Sequence, residues 1–151
     1  MKYLIILVVL GLAVAPLLHF LPSKRQRALA GLREKAALAG MFVEFRDLPG
    51  ADREYKRQPA SVRQVIYYGI RLPPSRDSSP RTGSWRQREQ AWQALDRAHA
   101  VPPAVAQMPP EILAASVDES SCGVYWREEG DHATVDEIIR LVTAWREQIV
   151  G

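Results

Sequence analysis

Residues 123 to 149 read GVYWREEGDHATVDEIIRLVTAWREQI, and two hydrophobic periods meet within them. From Gly123 to Glu128 the side chains alternate, Val124 and Trp126 against Tyr125 and Arg127, which is the period of a strand. From Val135 onward Ile138, Val142, Trp145 and Ile149 recur at helical spacing with charges opposite, and Thr134 with Glu137 has the spacing of a capping box. A strand running through a charged turn into an amphipathic helix predicts a sheet with a helix laid across one face.

Working toward the N-terminus, Ile112 to Val117 is a second short apolar run, and Asp118-Glu119-Ser120-Ser121-Cys122 between the two suits a hairpin loop. Val101 to Pro110 carries two proline pairs and breaks the chain. Ser84 with Gln87 repeats the capping-box spacing, and Trp85, Trp92 and Leu95 fall near one face of a helix reaching about His99. Residues 73 to 83, PPSRDSSPRTG, form a flexible connector. Val62 to Leu72 reads as a strand with Ile66, Tyr68, Ile70 and Leu72 on one face. Met41, Val43 and Phe45 alternate with Phe42, Glu44 and Arg46 before the Pro49-Gly50 turn and give one more strand. The expected fold of residues 41 to 151 is therefore α+β, an antiparallel four-stranded sheet with two helices in the order ββαββα.

The N-terminal segment has another character. From Tyr3 to Leu21 no residue carries a formal charge, and 19 residues of helix rise about 28 Å, close to the roughly 30 Å hydrocarbon core. A transmembrane anchor over 1 to 22 is expected. A cleaved signal peptide ending at Ala13-Val14-Ala15 is the competitor, with Pro16 set against cleavage. Residues 23 to 40 read as a basic juxtamembrane helix, capped by Ser23 with Gln26 and stopped by Gly40. Lys24, Arg25, Arg27, Arg33 and Lys35 would meet an anionic membrane surface. Since Lys2 stands alone before the apolar run, the positive-inside tendency sets the N-terminus outside and the C-terminal domain in the cytoplasm.

With 151 residues the chain holds one small domain and an accessory segment, and its single Cys excludes a disulfide framework or a thiolate zinc cluster. Residues 1 to 88 hold 16 Lys or Arg against 6 Asp or Glu, and residues 89 to 151 hold 4 against 11. Either the basic half faces lipid and the acidic half a partner, or the halves pair internally.

Catalytic, cofactor and metal residues are not assigned. Cys122 and His132 flank one hairpin, but neighbouring Asp118 and Glu119 would raise the thiol pKa. Asp118, Glu119, Glu128, Glu129, Asp131 and His132 match neither an EF-hand nor a zinc spacing. His19 stands at the interfacial end of the apolar run. Tyr67 and Tyr68 point to opposite faces of one strand, and no RNA- or DNA-binding motif accompanies them, so nucleic acid is not an expected partner.

At Leu21-Pro22-Ser23-Lys24-Arg25-Gln26-Arg27, with Leu32-Arg33 and Gly40 following, and at Gly123 to Gly130, GVYWREEG, the chain resembles small single-anchor inner-membrane proteins of Pseudomonas-like gammaproteobacteria. That resemblance implies an anchor, a basic stalk and a small cytoplasmic domain at the bacterial inner membrane. The plan is also similar to the auxiliary subunit of the bacterial preprotein translocase, although Met41 to Gly50 reads MFVEFRDLPG where that family is glycine-rich. The functional expectation is a non-enzymatic, membrane-anchored accessory protein that binds another protein, with Tyr125 and Trp126 as partner contacts. Alternatives are a translocase-like auxiliary subunit, a tethered enzyme using Cys122 or the acidic hairpin, and lipid or nucleic-acid binding by the basic half.

Overall fold

Val65, Ile66, Tyr67, Tyr68 and Gly69 form a run without charge, and such a run suits a strand covered on both faces. In the computed structural model, which describes residues 1–19, 22–75, 81–96 and 99–151 (residues 16–19 as backbone), it lies in β2, Gln64–Arg71. The other strands are β1 (Phe42–Asp47), β3 (Gly83–Arg88), β4 (Ala91–Ala94), β5 (Ile112–Val117) and β6 (Ser121–Trp126). They make one antiparallel sheet in the order β1-β2-β6-β5-β3-β4. The class is α+β, but the sheet has six strands where the sequence reading expected four.

The two additional strands replace the helix expected over 84 to 99, of which residues 97 and 98 lie outside the described residues. Trp85 pairs with Ala94 and Gln87 with Trp92 across a hairpin. The capping-box spacing at Ser84 and Gln87 was thus a coincidence of composition. The turn consists of Glu89 and Gln90, at φ 50° and 65°. This is the left-handed backbone of a two-residue hairpin turn, which Asn and Gly signal and these residues do not. Replacing Glu89-Gln90 by Asn-Gly is expected to stabilise the protein by about 1 kcal/mol, read as a higher urea midpoint at unchanged slope.

One face of the sheet presents Ile66, Tyr68, Val124, Trp126, Ala115 and Trp85, all buried. It is covered by α6 (His132–Val150), whose Val135, Ile138, Leu141, Val142 and Trp145 are buried, and by α5 (Pro103–Ala106), which packs on α6. Trp85 and Trp145 meet edge to face with centroids 5.6 Å apart. The opposite face carries a smaller cluster of Leu48, Val65, Tyr67, Ala114 and Tyr125, with Phe42, Tyr55 and Leu113 partly buried against it. Tyr55 comes from α3 (Arg53–Arg57), and its hydroxyl donates to the Arg63 carbonyl at 3.0 Å, where α4 (Ala60–Arg63) ends. The charged stretch before β2 thus supplies two short helices.

Helix α6 begins earlier than expected. Asp131 accepts from the Thr134 N–H at 3.0 Å while the Thr134 hydroxyl accepts from the Asp131 N–H at 3.4 Å, so the capping box is Asp131 with Thr134. Glu137, assigned to the cap from sequence, forks onto Arg140 instead.

The N-terminal reading is corrected more deeply. Helix α1 spans Lys2–His19, and no helix among the described residues is long and apolar enough to cross a membrane. Between Lys2 and His19 the apolar stretch rises about 24 Å, short of the roughly 30 Å hydrocarbon core. Phe20 and Leu21, which the anchor required, lie outside the described residues. The single-pass anchor, its N-out orientation and the inner-membrane location inferred from it are therefore withdrawn. Helix α2 (Lys24–Leu38) has the expected capping box, with Ser23 N–H donating to Gln26 Oε1 at 2.8 Å and Gln26 N–H to Ser23 Oγ at 3.2 Å. Gly40, at φ 81°, turns the chain out of it. The chain divides into two compact units, Met1–Gly31 and Leu32–Gly151.

Candidate functional site

Glu128 leaves β6 in the left-handed region at φ 57°, which an L-residue adopts only where its surroundings hold it there. They hold it firmly. The Arg33 guanidinium donates from Nε at 2.8 Å and from Nη2 at 2.6 Å in a fork, and the Tyr68 hydroxyl donates to Oε1 at 2.9 Å. The Glu128 side chain is 3% exposed and that of Arg33 is 37%. Hydrogen bonding to Glu128 raises the Arg33 pKa against the effect of burial. Burial, and then the adjacent carboxylate, push the Tyr68 phenol well above its ordinary value. This carboxylate is engaged on both oxygens and ties Arg33 to the end of β6.

The residues expected at a membrane surface separate into two groups. Lys24, Arg25 and Arg27 are exposed, Arg27 donating to the Pro22 carbonyl at 3.1 Å. Arg33 is committed to Glu128, and Lys35 pairs with Asp136 at 2.6 Å. Together with Arg46 and Asp118 at 3.8 Å, these pairs join the basic first half to the acidic second half. Tyr125 and Trp126, expected at a partner contact, lie in the interior at 6% and 0% exposure. Tyr125 stacks obliquely on Tyr67 with centroids 4.8 Å apart and shares a hydrogen bond with Ser116 Oγ at 3.1 Å. Trp126 meets Tyr68 edge-on at 5.2 Å.

Cys122 is also buried, opposite Ile70 in the sheet. Burial pushes its thiol up to about 12, against the pull of Arg146. Asp118 accepts from the N–H groups of Ser120 and Ser121 at 2.8 and 2.7 Å and from both their hydroxyls. Burial disfavours its charge, but these donors outweigh it and lower its pKa. Among the described residues, no group of three or more His, Cys, Asp and Glu could hold a metal ion.

The Cys122 thiol gives a pH prediction. Its folded pKa exceeds the ordinary value near 9.0, so its contribution to stability is complete below pH 9 and declines as pH rises toward 12. Between about pH 9 and 10 the urea midpoint of the wild type is expected to fall, and that of Cys122→Ala to fall less. Parallel curves for the two proteins would contradict this.

A cleft of about 530 Å³ opens where the end of α2, the start of β1, the end of β2 and the C-terminal half of α6 meet. Met41 and Ile70 give it apolar surface and Thr143 and Arg146 polar surface; Phe42 and Arg71 also line it, but their side chains turn to the opposite face of the sheet, with Tyr67. Strand β2 delivers Arg71 as its last residue, on the Tyr67 face, while α6 delivers Arg146 beside the buried Trp145. Arg146 Nε donates to the Arg71 carbonyl at 3.3 Å, and the Arg71 guanidinium stands 5.2 Å from the centroid of the Phe42 ring. Neither guanidinium has a carboxylate partner among the described residues. Sequence reading missed this pair because 75 residues separate its members and no local spacing links them.

Comparison of the chain with family models, with curated proteins and with solved structures gives no match.

Proposed function

We propose that residues 32 to 151 act as a non-enzymatic interaction module of an accessory protein, and that its partner docks at the cleft of Arg71 and Arg146. The observation that carries this reading is unbalanced charge: Arg146 lines an open cleft without a carboxylate partner among the described residues, whereas Arg33, Lys35 and Arg46 are paired to acids. An Arg fork beside apolar surface is suited to carboxylate recognition and is enriched at binding hot spots. The burial of Cys122 and Glu128 and the engagement of Asp118 by donors of its own hairpin support the non-enzymatic part of the reading.

The test is quantitative co-purification with the full-length protein. Arg71→Glu/Arg146→Glu is compared with wild type and with Arg25→Glu/Arg27→Glu, which changes charge equally on exposed positions of α2. A partner retained by the wild type and the α2 variant but lost from the cleft variant supports the proposal. Equal recovery by all three contradicts it.

A further inference from the structure

We infer that β1 pairs antiparallel with β1 of a second copy of this chain, Phe45 opposite Phe45 across a two-fold axis, so that two six-stranded sheets join into one. The surface involved is the sheet edge, and the inference is independent of the proposed docking cleft. The sheet ends at β1 on one side and at β4 on the other. Strand β4 has four residues and no charge. Strand β1 runs for six residues in unbroken register with β2, without bulge or proline. Among the described residues, the backbone of 43 to 47 makes no hydrogen bond outside that ladder. An edge of this kind is a template for another strand, and only charge blunts it here.

That charge selects the occupant. Glu44 and Arg46 stand on the Tyr67 face of the sheet, opposite Tyr67 and Val65 of β2. A two-fold axis perpendicular to the sheet keeps this face common to both copies, and its position along β1 decides which charges meet. Centred on Glu44, the axis sets Glu44 against itself; centred on Arg46, it sets Arg46 against itself. Centred on Phe45, it sets Glu44 against Arg46 twice. Unlike charges directly opposite stabilise an antiparallel pair and like charges destabilise it. The Arg46 guanidinium is positioned for this role, 3.9 Å over the centroid of the Tyr67 ring.

The same register covers the apolar side chain that the edge leaves in water. Phe45 stands opposite Ile66, on the α6 face, and is 61% exposed. Pairing brings the two Phe45 rings together and removes apolar surface from water. The neighbouring charges do not oppose this. Arg33, whose guanidinium lies 5.7 Å from the ring centroid, is paired to Glu128, and Asp47, which comes to stand opposite Val43, is paired to Arg63 at 3.5 Å.

The experiment is sedimentation velocity on full-length protein in a mild non-ionic detergent, which covers the apolar residues exposed on α1. The wild type is expected to dimerise with rising concentration. Glu44→Arg and Arg46→Glu each set like charges opposite one another at two positions, and each is expected to self-associate at least about tenfold more weakly. Phe45→Ser is expected to weaken association as well. Mixing the Glu44→Arg and Arg46→Glu proteins restores unlike charges at both positions, and a heterodimer of affinity close to the wild type is expected. Mixing alters neither chain, so this recovery separates pairing from any loss of stability in the single variants. A wild type that stays monomeric at about 100 μM overturns the inference. Association that survives both charge reversals overturns it too, placing the contact elsewhere. Weakening of both variants without recovery in the mixture likewise excludes the Phe45-centred pair.

Discussion

Glu128→Ala is expected to destabilise the protein by about 3 kcal/mol. The carboxylate is 3% exposed, and its removal leaves the Arg33 fork and the Tyr68 hydroxyl without their acceptor. Arg33 is 37% exposed, so water recovers part of its solvation and holds the loss to the lower end of the range for broken buried pairs. Two further variants separate the causes. Glu128→Gly relieves the backbone held at φ 57° and should be less damaging than alanine by about 1 kcal/mol, although both lose the same bonds. Arg33→Met/Glu128→Ala should destabilise less than the two single changes added together, because neither partner is then stranded. Urea midpoints followed by tryptophan fluorescence read all of these. Additivity in the double variant would show that Arg33 and Glu128 do not act as a pair.

Gly123→Ala is expected to be at least as damaging, about 3 kcal/mol or more. Gly123 and Gly69 face each other across β6 and β2. A Cβ on Gly123 would stand 2.6 Å from the Gly69 Cα and 2.7 Å from Tyr67 Cζ, and would also collide with the Tyr68 carbonyl oxygen. Backbone of a central strand cannot yield as a side chain can, so β2 and β6 must part. The atoms nearest a Cβ on Gly69 are ring atoms of Tyr67 and Phe42, and Gly69→Ala should cost less. Shrinking the ring separates the two cases: Tyr67→Leu should relieve part of the Gly69→Ala penalty and leave most of the Gly123→Ala penalty. Equal relief at both positions would refute the backbone clash.

The sheet around these glycines shows where sequence reading succeeds. Strand β6 and helix α6 were legible because each buries a face with its own period, two and then 3.6, with little mixing. The β3–β4 hairpin was not legible, since Glu89 and Gln90 occupy left-handed turn positions without glycine or asparagine to signal them. Tyr125 and Trp126 could be placed on opposite faces of their strand, but the cover over the second face comes from Leu48 and Tyr55, far away in the chain. The apolar run from Tyr3 to Leu21 reads as a spanning helix, but the described helix α1 covers Lys2–His19, and Phe20 and Leu21 lie outside the described residues.

The candidate site was harder to reach for the same reason. Arg33 and Glu128 are 95 residues apart, and Arg71 and Arg146 are 75 apart. The charge asymmetry between the halves was visible in sequence. Which basic residues pair internally and which remain open to a ligand depends on register, and register appears only when β1, β2 and α6 are assembled.

Site-specific photo-crosslinking from Thr143, on the cleft wall, tests the central claim most directly when compared with the exposed Glu129 at the opposite end of β6. In the full-length protein within cells, the cleft reading expects a discrete protein adduct from Thr143 that disappears in the Arg71→Glu/Arg146→Glu background, and none of that size from Glu129. An adduct that forms from Glu129 but not Thr143, or one from Thr143 that survives the charge reversal, would contradict it.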